Sequence, residues 1–112
     1  GINLSFSKGK VTEASADKNE ALLLKLLEMD EGAKRIGEFG VGVNYGISRY
    51  FYDLLFDEKI GGTVHIALGR AYPECGGVNK SAFHWDLIKD LREEGALYLD
   101  GEKTIEKGQF LM

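Results

Sequence analysis

The segment that decides the fold reads Thr63-Val64-His65-Ile66-Ala67-Leu68, and it directly follows Gly61-Gly62. Bulky apolar residues alternate in it with small or polar ones, which is the period of a β-strand. The same alternation recurs in Ile36-Gly37-Glu38-Phe39-Gly40-Val41-Gly42-Val43 and in Ala82-Phe83-His84-Trp85-Asp86-Leu87. These patterns predict strands over about 33–44, 63–68 and 81–91.

The flanking sequence adds a helix and shorter strands. Leucines at helical spacing predict a helix over about 18–31, with a capping box formed by Asp17 and Glu20 and a stop at Gly32. The aromatic run at 49–57 predicts a second, short helix. Alternation predicts the remaining strands, with turns at Gly9, Asp100-Gly101 and Lys107-Gly108. We therefore predict an α+β fold, with a mainly antiparallel sheet and one main helix, in a single domain over 1–112.

Composition excludes several classes of protein. The 112 residues carry a net charge of −4 and no basic stripe, which argues against nucleic-acid binding. No apolar run approaches the roughly 18 residues of a membrane span, and no signal peptide is visible, so we expect no membrane association. The single cysteine, Cys75, cannot form an internal disulfide. We expect a cytoplasmic protein.

The polar residues of the three main strands all lie opposite the bulky apolar ones. His84 and Asp86 share one face of their strand, about 7 Å apart at the backbone, so both could reach one metal ion, or each could reach one ion of a pair. His65 and Glu38 occupy the corresponding faces of the other two strands. Imidazole and carboxylate ligands suit zinc, cobalt or manganese in a hydrolytic site. We expect nearby glycines to leave room for a metal and a peptide, namely Gly40, Gly42, Gly61 and Gly62.

Structural roles are the alternative for each of these residues. A histidine on a strand is more often a hydrogen-bonded packing residue than a ligand, and Glu38 could be a surface carboxylate. Asp57 and Glu58 either form the turn before Gly61-Gly62 or support a site from behind. Tyr72 either ends a strand before Pro73 or reaches a metal or a carbonyl group.

Four segments resemble motifs of the thermophilic metalloaminopeptidase family, in the same order, over about Gly9 to Leu111. They are Asp30-Glu31-Gly32-Ala33-Lys34-Arg35-Ile36-Gly37-Glu38-Phe39, the stretch from Leu55 to Gly69 with Asp57-Glu58-Lys59 and His65, Ser81-Ala82-Phe83-His84-Trp85-Asp86, and Asp100-Gly101-Glu102.

The resemblance implies an aminopeptidase that removes N-terminal residues from peptides at a site with two divalent metal ions. It implies metal ligands at Glu38, His65, His84 and Asp86 and catalytic roles for Glu38 and Tyr72. It also implies a homodimer for the full-length protein.

The chain departs from the family pattern in one respect. The family uses a further glutamate from an upstream segment and carries an N-terminal domain, and nothing in 1–20 matches that segment. We therefore expect the chain to be the C-terminal, ligand-bearing part of a longer aminopeptidase, weak or inactive by itself. The alternative function is a non-catalytic assembly domain in which the histidines are structural.

Overall fold

A computed structural model describes residues 1–52 and 54–111. The regular elements in chain order are β1 (Ile2–Ser7), β2 (Lys10–Ala16), α1 (Glu20–Leu27), β3 (Ile36–Val41), α2 (Leu54–Asp57), β4 (Thr63–Gly69), β5 (His84–Asp90), β6 (Ala96–Leu99), β7 (Glu102–Glu106) and β8 (Gln109–Phe110). Two 3₁₀ turns occupy Glu31–Lys34 and Pro73–Cys75. Antiparallel strands with one main helix agree with the predicted α+β class.

The strands form three small sheets instead of the one predicted. Their orders are β1-β2, β3-β4-β5 and β6-β7-β8. The hydrogen bonds from Gly69 N–H to the Arg35 carbonyl and from Gly42 N–H to the Thr63 carbonyl join opposite ends of β3 and β4. That pattern is antiparallel.

The chain divides into two compact units. The first contains Gly1–Glu38 and Ala67–Asp86, and the second contains the described residues of Phe39–Ile66 and Leu87–Met112. None of the helices in 1–52 and 54–111 is long and apolar enough to cross a membrane.

Three strand pairs are closed by two-residue turns. Their central dipeptides are Lys8-Gly9, Asp100-Gly101 and Lys107-Gly108, and both residues of each have positive φ. This is the type I′ conformation, whose twist matches that of the flanking antiparallel strands. The turns predicted at these glycines are confirmed.

The predicted helix over 18–31 is too long. Helix α1 begins after Asn19, which has φ 57 and no side-chain cap, and it ends at Leu27. The predicted capping box is wrong because the residue before the helix is Asn19 and not Asp17, while the Glu20 carboxylate accepts from Ala16 N–H at 3.2 Å. Gly32 lies inside the following 3₁₀ turn and is not the stop.

Two strand boundaries and the second helix also differ from the predictions. Strand β3 begins only at Ile36 because the preceding residues form the 3₁₀ turn, and β5 begins only at His84. Before β5, the Ser81 hydroxyl accepts from Phe83 N–H at 3.0 Å, a local bond that competes with strand pairing. Of the helix predicted over 49–57, the structure has Leu54–Asp57, and Asp53 lies outside the described residues.

Close backbone packing in the first unit depends on Gly69. This residue has φ +100, and a Cβ built on it would overlap the Phe83 carbonyl. Its N–H donates to the Arg35 carbonyl at 2.8 Å, and the next residue, Arg70, donates its N–H to the Phe83 carbonyl at 2.7 Å. Glycine is therefore required both for the backbone conformation and for the approach of the neighbouring strand.

The second unit is built around a small apolar cluster and an arginine. Val64, Leu91 and Ile105 are buried together. The Arg92 guanidinium holds the Asp90 carboxylate with bonds of 2.9 and 2.8 Å. The same guanidinium donates to the Ser48 carbonyl at 2.9 Å, so Arg92 connects the 44–52 segment to the end of β5. These bonds lower the pKa of the Asp90 carboxyl group below its ordinary value.

Replacing Gly69 with alanine is expected to destabilise the fold by about 2 kcal/mol or more, because conformational strain and a backbone overlap add together. Gly76→Ala is the matched control, since Gly76 has φ +81 but nothing lies within 4 Å of a Cβ there. Gly76→Ala should show only the conformational cost of about 1 kcal/mol. Urea unfolding measures both, and equal losses would contradict the packing argument.

The Asp90–Arg92 pair is expected to contribute stability that depends on pH. Because the folded-state pKa of Asp90 is lowered, the contribution is present above the unfolded value of 3.8 and is lost as the pH falls through the folded value. Asp90→Asn should cost about 0.5–1 kcal/mol at pH 7, since the pair is partly exposed. In urea titrations, the difference in free energy of unfolding between Asp90→Asn and the unsubstituted chain should shrink at low pH. A difference that stays constant would contradict this pH dependence.

Candidate metal centre

Two strands bring three candidate ligands together in the first unit. Glu38 lies in β3, while His84 and Asp86 lie two residues apart on one face of β5. Strand β4 separates β3 from β5, so their backbones are about 10 Å apart. The length of the glutamate side chain lets its carboxylate reach the other two groups.

The ligand atoms of these residues converge on one point. His84 Nε2 is 3.4 Å from Asp86 Oδ2 and 3.7 Å from Glu38 Oε2, and the three atoms all lie within 4.8 Å of one another. The side chains are 20% exposed for His84, 28% for Glu38 and 11% for Asp86. The group is therefore half-buried, with Glu38 the member most open to solvent.

A backbone bond orients the His84 ring. Nδ1 lies 2.8 Å from the Arg70 carbonyl oxygen. Because a carbonyl only accepts, Nδ1 carries the proton and donates it. In the neutral ring, Nε2 then presents its lone pair towards the two carboxylates. A histidine ligand commonly has its second nitrogen bonded in this way, which fixes its tautomer.

These three residues fit a divalent cation. One imidazole nitrogen and two carboxylate oxygens, all electron-pair donors, face one another at distances that a small ion could bridge. Nitrogen and oxygen ligands of this kind suit zinc, cobalt or manganese. Three protein ligands leave coordination positions for water or substrate, as in catalytic metal sites.

Tyr72 lies against this group. Its ring packs edge-on against the His84 ring, with the centroids 5.7 Å apart and the planes at 61°. The residue is 47% exposed. The structure thus brings Tyr72 beside His84, and its catalytic role stays a prediction.

His65 lies in the second unit, where it is buried on β4. The backbone of Gly40 passes directly over its ring, and a Cβ built at Gly40 would overlap the imidazole. The space at Gly40 is thus taken by the His65 ring itself and is not, as was expected, left open for a metal or a peptide. The other three glycines have different neighbours, because Gly42 meets Ile60 and Thr63, Gly61 meets the Tyr45 ring, and Gly62 meets Arg92 and Gly108.

Glu58 is the residue that the sequence did not single out as a ligand. Its Oε2 lies 3.9 Å from His65 Nε2, and its Oε1 lies 2.8 Å from Lys59 Nζ. The neighbouring Asp57 instead accepts from Phe51 N–H at 2.8 Å and is 6% exposed. Asp57 therefore anchors a loop, while Glu58 faces a histidine, and a role for Glu58 in a site stays a prediction.

Comparisons with known proteins place the chain in one group. The family model described as thermophilic metalloprotease (M29) matches residues 1–110. Aminopeptidase T of Thermus thermophilus is 35% identical over 93% of the chain and 29% of its own length. Aminopeptidase 2 of Geobacillus stearothermophilus is 35% identical over 79% of the chain and 25% of its own length.

A solved structure shows the same fold. Wild-type AmpT from Thermus thermophilus superposes with a TM-score of 0.74 at 35% identity, covering 100% of this chain and 32% of that one. The chain thus spans less than a third of the length of these relatives.

Replacing Gly40 with alanine is expected to displace the His65 ring and to destabilise the chain by about 1–3 kcal/mol, because the added methyl group overlaps the imidazole. Histidine ring nitrogen shifts measured by NMR report the displacement, and urea unfolding reports the stability. Gly46→Ala is the control, since its Cβ would meet only Asn44 Oδ1 at 3.1 Å. Unchanged His65 shifts in Gly40→Ala would contradict the packing described here.

Proposed function

Because the chain belongs to the thermophilic metalloprotease family M29, we propose that it is the C-terminal, metal-binding part of an aminopeptidase. The observation that carries the proposal is the convergence of Glu38, His84 and Asp86, with His84 Nε2 directed at both carboxylates. The relatives named aminopeptidases support the substrate class, which is a peptide with a free N-terminal amine.

We assign a divalent ion to each of two ligand sets. In the first unit, Glu38, His84 and Asp86 would hold one ion. In the second unit, His65, which faces Glu58, would be a ligand for the other ion. When bound, such ions supply Lewis acidity that polarises a scissile carbonyl and activates water. The chain's nitrogen and oxygen ligands favour zinc, cobalt or manganese over metals that require thiolates.

Glu38 is the residue to which we assign proton transfer. It is the more exposed of the two carboxylates beside His84, at 28% against 11% for Asp86, so a substrate reaches it more easily. Its carboxylate would accept a proton from the attacking water and return it to the leaving amine. The hydroxyl of Tyr72, whose ring packs against that of His84, would donate to the substrate carbonyl.

The proposal extends to the longer protein. The family's further glutamate would come from a segment upstream of this chain, and the whole enzyme would be a cytoplasmic homodimer. By itself, the chain would therefore bind metal at an incomplete site and hydrolyse peptides weakly or not at all.

The proposal predicts that the chain binds Co²⁺ or Zn²⁺ and that His84→Ala and Asp86→Ala each weaken binding about tenfold or more, since each removes a ligand. Titration against a competing chelator measures the affinity. The control is Glu13→Ala, which removes an exposed carboxylate from the β1-β2 hairpin and should change nothing.

Two results would contradict the proposal. The first is an absence of metal binding by the unsubstituted chain, and the second is equal affinity in the His84→Ala and Asp86→Ala variants. Either result would favour an assembly domain in which the histidines are structural.

A further inference from the structure

One carboxylate of the first unit connects two segments that lead to the candidate ligands. Asp30 precedes the 3₁₀ turn, and its Oδ1 accepts from Ala33 N–H in that turn at 2.9 Å. The Ser81 hydroxyl lies 2.8 and 3.0 Å from its two oxygens, and Ala82 N–H donates to Oδ2 at 3.0 Å. Asp30 thus binds its own turn and a segment some fifty positions away.

The second of these segments leads directly to His84. Ser81 also accepts from Phe83 N–H at 3.0 Å, and the Phe83 carbonyl accepts from Arg70 N–H at 2.7 Å. The Arg70 carbonyl in turn accepts from His84 Nδ1 at 2.8 Å. Asp30 is therefore joined by consecutive hydrogen bonds to the group that orients the candidate ligand.

The first segment leads to Glu38. The turn held by Asp30 passes into Arg35, whose carbonyl accepts from Gly69 N–H, and then into β3. The Asn79 amide reinforces this connection by donating to the carbonyls of Gly32 and Gly69 at 2.9 and 2.6 Å. Both strands that carry ligands are thus anchored at the same point.

The contacts of Asp30 with Ala33, Ser81 and Ala82 require a side chain that accepts hydrogen bonds at two atoms, as a carboxylate does. Asp30 faces two backbone N–H donors and one hydroxyl, and an ionised carboxylate is an acceptor at both oxygens. These bonds lower the pKa of the Asp30 carboxyl group below its ordinary value, first through Ala82 and then through Ser81. Asparagine has the same shape but would turn an amide N–H towards one of the donors.

We propose that Asp30 is a positioning residue of the metal centre, which sets the placement of His84 relative to Glu38 without being a ligand itself. The inference rests on the proposed metal site. It implies that metal affinity depends on a carboxylate outside the ligand set, as the residues behind a metal site commonly influence affinity.

The test is Asp30→Asn, studied by Co²⁺ titration and visible absorption of the bound ion at a temperature where the variant is folded. We expect affinity about tenfold weaker or more and an altered absorption spectrum. Without metal, the His84 Nδ1 proton should exchange faster with solvent, as measured by NMR. A residue that only stabilised the fold would shift the unfolding midpoint and leave both the spectrum and the local exchange unchanged.

The matched control is Glu20→Gln. Like Asp30, Glu20 carries a carboxylate at the start of a helical element and accepts a backbone hydrogen bond, from Ala16 N–H at 3.2 Å. This bond connects α1 to the end of β2 and not to a strand that carries a candidate ligand. The Glu20→Gln variant should bind Co²⁺ as the unsubstituted chain does.

Ser81→Ala is the second variant and serves if Asp30→Asn fails to fold. It removes the hydroxyl link while leaving the Ala82 bond, so we expect a smaller loss of affinity in the same direction. The inference would be overturned if the unsubstituted chain binds metal and folded Asp30→Asn shows the same affinity, absorption spectrum and proton exchange. The same result in Ser81→Ala would overturn it where that variant replaces Asp30→Asn. Absence of metal binding by the unsubstituted chain would instead overturn the proposed function on which it rests.

Discussion

The candidate site depends on the backbone of Arg70, which is held from both sides. Its N–H donates to the Phe83 carbonyl, and its carbonyl accepts from His84 Nδ1. The first bond pairs the end of β4 with the start of β5, and the second fixes the tautomer of His84. A single peptide segment therefore determines both where the histidine is and which of its nitrogens can bind a metal.

The residue before Arg70, Gly69, allows the backbone around Arg70 to pack closely. Gly69 has a left-handed backbone and lies directly against the Phe83 carbonyl, so the two strands approach more closely than side chains would permit. The amide of Asn79 donates to the Gly69 carbonyl. The strands that carry the ligands are thus held both by backbone hydrogen bonds and by the side chains of Asp30, Ser81 and Asn79.

The sequence predicted those features that short-range chemistry controls. Asp100-Gly101 and Lys107-Gly108 form tight turns because glycine readily adopts positive φ, and His84 and Asp86 share a face because strands alternate. Features that depend on distant partners were missed. Helix α1 also lacks its predicted capping box, because Asn19 before it has a left-handed backbone and the Glu20 carboxylate accepts from Ala16 N–H instead. Likewise, nothing local distinguishes Glu58 from Asp57, and only the folded chain shows which of them faces His65.

The type I′ hairpins have a consequence for the order in which this chain folds. Each joins strands that are adjacent in sequence, and such hairpins form within microseconds. The approach of Glu38 to His84 instead requires closure of a long intervening loop, which costs more entropy and proceeds more slowly. The ligand cluster is therefore among the last features to assemble. A cation that recognises it would bind the finished fold in preference to earlier species and would draw the folding equilibrium towards completion.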